Sequence, residues 1–149
     1  MDERHRELLR QFQVIPAKAD KIMRSITSEY LNDTTLKGYH MHYIFCLGRS
    51  EGISQMELSR IVREDKSRVS VVVKELREMG MVEDRSSKKT AELYLTEKGR
   101  ETYAMSRMFF EIFVGKITSN LTPEELETLI NLLKKISENC DSLLDDDSS

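Results

Sequence analysis

Residues 52–96 read GISQMELSRIVREDKSRVSVVVKELREMGMVEDRSSKKTAELYLT, and this stretch predicts two short helices followed by a β-hairpin. The first helix is expected to begin after Ser54, a good N-cap residue, with Glu57 three positions later as in a capping box. Asp65 is placed to cap the second helix, because its carboxylate can accept the exposed amide hydrogens of a first turn. The stretch therefore contains start signals for two consecutive helices.

The second helix, predicted over 66–79, has two faces of different character. Its apolar residues follow the i, i+3, i+4, i+7 spacing that turns one side of a helix into a core. They are Val69, Val72, Val73 and Leu76. The opposite face is small, hydroxylated and cationic, so Arg68 can bind guanine through two hydrogen bonds or bind phosphate, and Val71 can contact a thymine methyl group. An ordinary amphipathic helix with a solvated polar face is the alternative interpretation.

The hairpin is predicted with its tip at 86–90 and its return strand over 91–95. Apolar Leu93 and Leu95 alternate with polar residues, as in a half-buried strand. The two lysines at the tip suit contact with phosphate or with the minor groove, although lysine is also common in a solvated turn. Helices and hairpin in this order predict a winged helix-turn-helix within residues 34–96.

Four motifs in this region, in their order and spacing, resemble the MarR family of bacterial and archaeal transcriptional regulators. They are Ser54-Gln55-Met56-Glu57-Leu58, Asp65-Lys66-Ser67-Arg68-Val69-Ser70, Leu76-Arg77-Glu78-Met79-Gly80-Met81-Val82 and Leu93-Tyr94-Leu95-Thr96-Glu97-Lys98-Gly99. The resemblance implies a homodimer that binds double-stranded DNA at a pseudo-palindromic operator, usually as a repressor. It also implies that a small molecule or an oxidant often alters the affinity for DNA.

The resemblance assigns roles to residues by their positions in these motifs. Gln55 is expected near the DNA backbone at the start of the supporting helix. Lys89, preceded by Lys88, occupies the usual place of a wing arginine, whereas Ser87 stands where the family often has an aspartate. The contacts implied for the recognition helix are Lys66, Ser67, Arg68, Ser70, Val71 and Lys74.

The net charge of −3 is low for a protein that binds DNA, but the charge is unevenly distributed. Residues 97–149 carry six Lys or Arg against eleven Asp or Glu, whereas residues 52–96 carry nine against eight. Any basic surface must therefore be local, and a modest nonspecific affinity for DNA is expected. The residues predicted to form it are Arg68, Lys74, Arg85, Lys88 and Lys89.

Apolar seams on both sides of the winged region predict helical dimerisation segments over 1–30 and 97–145. In the first segment the apolar residues step by three or four positions, and Pro16 should either kink the helix or mark a late start. In the second segment, Thr122 and the following proline and glutamates form a helix start signal. A further helix is predicted over 34–49.

The expected fold is therefore mainly α with a small β-hairpin wing: a winged helix-turn-helix core flanked by N- and C-terminal dimerisation helices. The whole chain, residues 1–149, is expected to form one unit of this type and to assemble as a homodimer, because a monomer would leave two helical seams uncovered. A monomeric helical bundle is the alternative.

Regulatory chemistry is only weakly indicated. A small-molecule effector pocket is predicted between the dimer helices and the winged region, where Tyr39, Met41 and Tyr43 could line it or could be plain core. His42 and Cys46 are four residues apart and could touch one metal ion, but two ligands do not complete a zinc site. The favoured interpretation is a small buried Cys46 beside partly exposed histidines, with no metal and no cofactor.

Other classes of protein find little support in the sequence. The chain has no glycine-rich phosphate loop and no Gly-x-Ser-x-Gly elbow, so we expect no enzyme. It has no signal peptide and no long apolar span, so we expect a cytoplasmic protein with no membrane partner. The main alternative is a winged-helix protein-interaction module that dimerises without binding DNA specifically.

Overall fold

The computed structural model describes residues 1–32, 34–87 and 92–147. In chain order the elements are α1 (Glu3–Leu31), α2 (Gly38–Gly48), α3 (Gln55–Val62), α4 (Lys66–Glu78), β1 (Val82–Asp84), β2 (Leu93–Leu95), α5 (Glu97–Ile117) and α6 (Pro123–Asp147). The chain divides into two units, Met1–Phe113 and Val114–Ser149, with the boundary inside α5. The prediction of a mainly α fold with a small β-hairpin is confirmed.

The core of the first unit lies where α2, α3, α4 and the hairpin meet. On α4 the predicted apolar residues Val69, Val72, Val73 and Leu76 are each at most 1% exposed. They pack with residues from the neighbouring elements: Tyr43, Ile44, Cys46, Leu47, Leu58, Val62, Met81, Val82, Leu93 and Leu95. Because the apolar side of α4 is fully committed to this core, its opposite side faces solvent.

Local capping defines the ends of the two short helices. The Oγ atom of Ser54 accepts a hydrogen bond from the N–H of Glu57 at 3.1 Å, and Oδ1 of Asp65 accepts one from the N–H of Arg68 at 2.8 Å. Both predicted caps are confirmed. Between them Arg63 takes the left-handed conformation, with φ of 59°, which ends α3 and turns the chain into α4.

The wing is an antiparallel pair in which Val82 lies opposite Leu95. Ile53, in the loop before α3, adds an isolated antiparallel bridge to Leu93 and ties the wing to the helix-turn-helix. Leu93 and Leu95 are each 1% exposed, whereas Tyr94 between them is half-buried. The predicted alternation of buried and more exposed residues along this strand is confirmed.

Predicted boundaries need correction on three elements. Helix α2 spans Gly38–Gly48 rather than residues 34–49, and its start is late because Lys37 is extended and its N–H donates to Nδ1 of His40 at 3.0 Å. Helix α4 ends at Glu78, one residue earlier than predicted. Strand β2 begins at Leu93 rather than at residue 91, which lies outside the described residues.

Of the two alternatives predicted for Pro16, a kink or a late helix start, the late start is wrong. Helix α1 begins at Glu3, where the carboxylate of Asp2 accepts a hydrogen bond from the N–H of His5 at 3.0 Å. The helix then continues through Pro16 over 29 residues. A proline removes one backbone donor from a helix, and the many remaining turns outweigh that single loss.

The start of α5 packs closely against the end of the helix-turn-helix. The Oγ1 atom of Thr96 accepts a hydrogen bond from the N–H of Gly99 at 3.1 Å, and the N–H of Thr96 donates to the Met81 carbonyl at 3.0 Å. A Cβ atom at Gly99 would lie 2.0 Å from the Met81 carbonyl oxygen. Glycine at this position therefore permits the close approach of α5 to the chain between α4 and β1.

Candidate nucleic-acid interface

The side of α4 opposite the core is the candidate interface, and we call it the α4 face. It consists of the residues that the sequence assigned to DNA contact on this helix, all of which are exposed: Lys66, Ser67, Arg68, Ser70, Val71 and Lys74. Val71 is 50% exposed although it is apolar, and the core is filled without it. A convex helix with small and cationic side chains can enter a major groove.

The other predicted contact residues lie on different elements. Gln55 is the first residue of α3 and is half-buried. Arg85 follows β1, where its guanidinium stacks over the Tyr94 ring at 4.1 Å and pairs with Glu83 at 2.5 Å, so part of its charge is neutralised. Lys88 and Lys89, predicted at the wing tip, lie outside the described residues.

Two side chains outside α4, those of Tyr39 and Glu64, contact Arg68. Its Nε atom lies 3.8 Å from the carboxylate of Glu64, and its guanidinium carbon lies 4.6 Å from the centre of the Tyr39 ring. Glu64 in turn accepts a hydrogen bond from the hydroxyl of Tyr43. Burial of this phenol, and then its bond to Glu64, raise the pKa of Tyr43 above its ordinary value.

Glu75 joins α4 to the start of α2. Its Oε2 atom accepts a hydrogen bond from the hydroxyl of Tyr39 at 2.9 Å and lies 2.6 Å from Nε2 of His40. The bond from His40, followed by the bond from Tyr39, lowers the pKa of Glu75, so this carboxylate stays ionised at neutral pH. His40 is 2% exposed, which corrects the expectation that it is partly exposed, whereas His42 is exposed.

These supporting contacts differ in how well the sequence could have predicted them. Glu64 and Arg68 are four residues apart on either side of the Asp65 cap, so their closeness in the chain could have suggested the pairing. Tyr39 and Glu75 are 36 residues apart, and His40 and Glu75 are 35 apart. No sequence pattern relates residues across that distance, and only the packing of α2 against α4 brings them together.

A cavity of about 730 Å³ lies beside this cluster and is lined by residues of α1, α2 and α5. Tyr39 and Met41, two of the residues predicted for an effector pocket, are on its wall. Tyr43, the third, lies instead in the core and is 1% exposed. The cavity wall also includes Asp20 and Arg24, which pair at 2.5 Å.

The side chains considered as metal ligands do not form a complete site. The Sγ atom of Cys46 lies 3.9 Å from Nε2 of His42, while His40 faces Glu75. Within residues 1–32, 34–87 and 92–147, no group of three His, Cys, Asp or Glu side chains is arranged to hold a metal ion. Cys46 is 8% exposed, and burial raises the pKa of its thiol, which disfavours the reactive thiolate.

The hydropathy of the helices was compared with that of membrane spans. Across the part of the chain that the structure describes, none of the helices combines the length and the apolar composition needed to cross a bilayer.

A capped helix pair, a solvent-facing second helix and an antiparallel hairpin beside it define a winged helix-turn-helix protein. None of the protein-family models compared with the chain matches it. The HTH-type transcriptional regulator BilQ of Clostridium symbiosum is 32% identical over 99 residues, which cover 64% of this chain and 69% of that protein. The chain belongs to the MarR family of transcriptional regulators.

Two solved structures are similar to the chain. A Listeria monocytogenes protein, described as a MarR-family transcriptional regulator complexed with 26mer DNA, is 29% identical, with a TM-score of 0.73 over 88% of this chain and 87% of that one. A MarR-family protein from Bacillus stearothermophilus has a TM-score of 0.79 over 95% of this chain and 99% of that one. At 18% identity the second likeness supports the fold alone.

Proposed function

We propose that the chain is a sequence-specific DNA-binding repressor that acts as a homodimer on a pseudo-palindromic operator and is released by a small-molecule effector. The observation that carries this proposal is the α4 face, which exposes small, hydroxylated and cationic side chains on a helix whose other side is fully buried. The similar Listeria monocytogenes protein, described in complex with DNA, supports duplex DNA as the ligand.

Two exposed apolar stripes support the homodimer. Helix α1 has no buried residue, and Leu8, Leu9, Phe12 and Ile15 are 47–53% exposed. Helix α6 also has no buried residue, and its stripe is 37–48% exposed at Leu129, Ile130, Leu133 and Ile136. Exposed apolar rows of this extent are typical of interfaces. A dimer would also supply two α4 faces for half-sites about one helical turn, ~34 Å, apart.

The cavity supports release by an effector. Its volume of about 730 Å³ lies within the usual range for small-molecule sites. Aromatic and apolar side chains such as Phe109 and Met41 line it together with the Asp20–Arg24 pair, so it offers apolar surface and a few polar groups. Both features suit a small, partly polar organic molecule.

The proposed function is tested by fluorescence-anisotropy titration against the DNA upstream of the protein's own coding region. Scrambled DNA of the same length serves as the control, and both are measured at two salt concentrations. We expect discrimination of roughly a thousandfold or more, and repression of a reporter placed behind that DNA. Weak and equal binding that disappears with salt would instead favour a winged-helix module that binds a protein partner.

The α6 stripe is expected to be required for assembly. Replacing Leu129 and Leu133 together by glutamate should convert a dimer into a monomer at micromolar concentration, because charged side chains are costly in a buried apolar interface. Sedimentation or light scattering measures the mass. Asn131→Glu, on the opposite side of the same helix, is the matched control and should leave the dimer intact. A wild-type protein that is already monomeric would contradict the proposed assembly.

Hydrogen peroxide and Zn²⁺ are expected to leave the affinity for DNA unchanged. Cys46 is buried with a raised thiol pKa, and with His42 it supplies only two ligands. The measurement is the anisotropy titration before and after each treatment. It is made in a Cys140→Ser background, because Cys140 is exposed and could crosslink two chains. A large loss of affinity after either treatment in that background would contradict this expectation.

A further inference from the structure

Two neighbouring side chains restrain Arg68 on the α4 face. The ring of Tyr39 lies 4.6 Å from its guanidinium carbon, and the carboxylate of Glu64 lies 3.8 Å from its Nε atom. The side chain is nevertheless 43% exposed. Tyr39 therefore contacts one face of the guanidinium and Glu64 lies near its Nε edge. A large part of the side chain stays open to solvent.

Tyr39 is itself held by a hydrogen bond to Glu75. Its hydroxyl donates to Oε2 of Glu75 at 2.9 Å, and the same oxygen lies 2.6 Å from Nε2 of His40. Nδ1 of His40 accepts the N–H of Lys37 at 3.0 Å, so the ring proton lies on Nε2 and is donated to Glu75. A buried histidine thus orients Glu75, and Glu75 orients the tyrosine that lies beside Arg68.

We propose that Tyr39 is a positioning residue that orders Arg68 for the operator, and that discrimination between DNA sequences at Arg68 depends on this contact. The inference rests on the proposed function of the α4 face. Tyr39 lies on α2, outside that face, and the contact that links it to the face is the one with Arg68.

The physical reason is conformational entropy. A free arginine side chain loses much rotamer freedom when it is fixed against a base edge. An aromatic ring stacks on the flat guanidinium group, and a carboxylate restrains one edge, so part of that ordering is complete before DNA arrives. Ordering the arginine in advance should strengthen a specific base contact most, because that contact requires a defined geometry. It should affect a contact with phosphate least, because phosphate can be bound in many geometries.

The test is a double-mutant cycle of Tyr39→Leu and Arg68→Ala, read as the ratio of affinities for upstream and scrambled DNA. We expect Tyr39→Leu to lower this ratio about three- to tenfold, and to have no further effect when Arg68 is already alanine. Tyr39→Phe is the matched control: it loses the hydroxyl bond to Glu75 but keeps the ring, which also packs against the core, so it should lower the ratio less than twofold. If the leucine variant folds poorly, Tyr39→Met supplies the same test with a longer and more adaptable apolar side chain.

A second measurement does not depend on DNA. The NMR signal of the Arg68 Nε–Hε group in the free protein should be shifted by the Tyr39 ring. The shift should persist in Tyr39→Phe and disappear in Tyr39→Leu. Absence of this shift in the wild-type protein would overturn the inference directly.

The outcomes separate this inference from the function on which it rests. If the wild-type protein does not discriminate between DNA sequences, the proposed function fails and this inference fails with it. If the wild type discriminates but the loss from Tyr39→Leu survives in the Arg68→Ala background, Tyr39 has only a general structural role and this inference alone is overturned. Tighter specific binding by Tyr39→Leu would also overturn it, because Tyr39 would then mask Arg68.

Discussion

Replacing Arg68 by alanine is expected to weaken binding to the upstream DNA by about 1–3 kcal/mol, or roughly five- to 150-fold, and to weaken binding to scrambled DNA much less. Arg68 lies in the first turns of α4, and its guanidinium remains partly open to solvent. A guanidinium that binds a guanine edge contributes to discrimination, whereas one that binds only phosphate contributes to every sequence equally. The measurement is anisotropy titration on both DNAs at fixed salt.

Arg77→Ala provides the matched control for Arg68→Ala. Arg77 is also an exposed arginine of α4, but it lies in the last turn of the helix. Removing its charge should weaken binding to both DNAs slightly and to the same extent. Thermal unfolding of both variants should change little, because the Arg68–Glu64 pair is partly exposed and such pairs stabilise a fold by at most about 1 kcal/mol. Equal effects of the two substitutions on discrimination would refute a base-reading role for Arg68.

Replacing Gly99 by alanine is expected to destabilise the fold by about 3 kcal/mol, which corresponds to a fall in Tm of roughly 6–12 °C. The new Cβ would lie 2.0 Å from the Met81 carbonyl oxygen and 3.3 Å from Cβ of Leu95. That carbonyl also accepts the Thr96 N–H at 3.0 Å. The clash is with backbone rather than with the end of a flexible side chain, so α5 must move away from the winged core.

The same helix contains the control for Gly99→Ala. A Cβ at Gly115 would meet no atom within 4 Å, and this residue lies inside α5 as Gly99 does. Gly115→Ala should therefore raise stability by about 0.5–1 kcal/mol through its better helix propensity. Chemical denaturation of both variants gives the comparison. A Gly99→Ala protein as stable as the wild type would show that α5 does not approach Met81 as closely as described.

Local signals in the sequence were sufficient for the parts of the fold that depend on near neighbours. The caps of Ser54 and Asp65 act over three residues, and the apolar spacing from Val69 to Leu76 spans two helical turns. The strand alternation around Leu93 likewise needs only adjacent residues. These features were predictable because the free energies involved are set by residues close together in the chain.

Boundaries were less predictable where a local preference competes with packing. Residues 34–37 have no strong helix-breaking residue, yet α2 begins only at Gly38, because the Lys37 N–H bonds to the His40 ring. Pro16 has the opposite effect: it usually breaks a helix, but α1 continues through it. A single local preference of a few kcal/mol can be outweighed by the rest of a long helix.

The sequence by itself determined the winged helix-turn-helix, the family to which it belongs and the set of residues on the α4 face, because repeating patterns and short motifs encode them. Only the tertiary structure decided which groups surround that face. It brought Tyr39 and His40 to Glu75 across a separation of 35–36 residues, separated Tyr43 from the cavity, and buried His40. Contacts of this kind depend on how α2 packs against α4, and that packing is a property of the whole core rather than of any short segment.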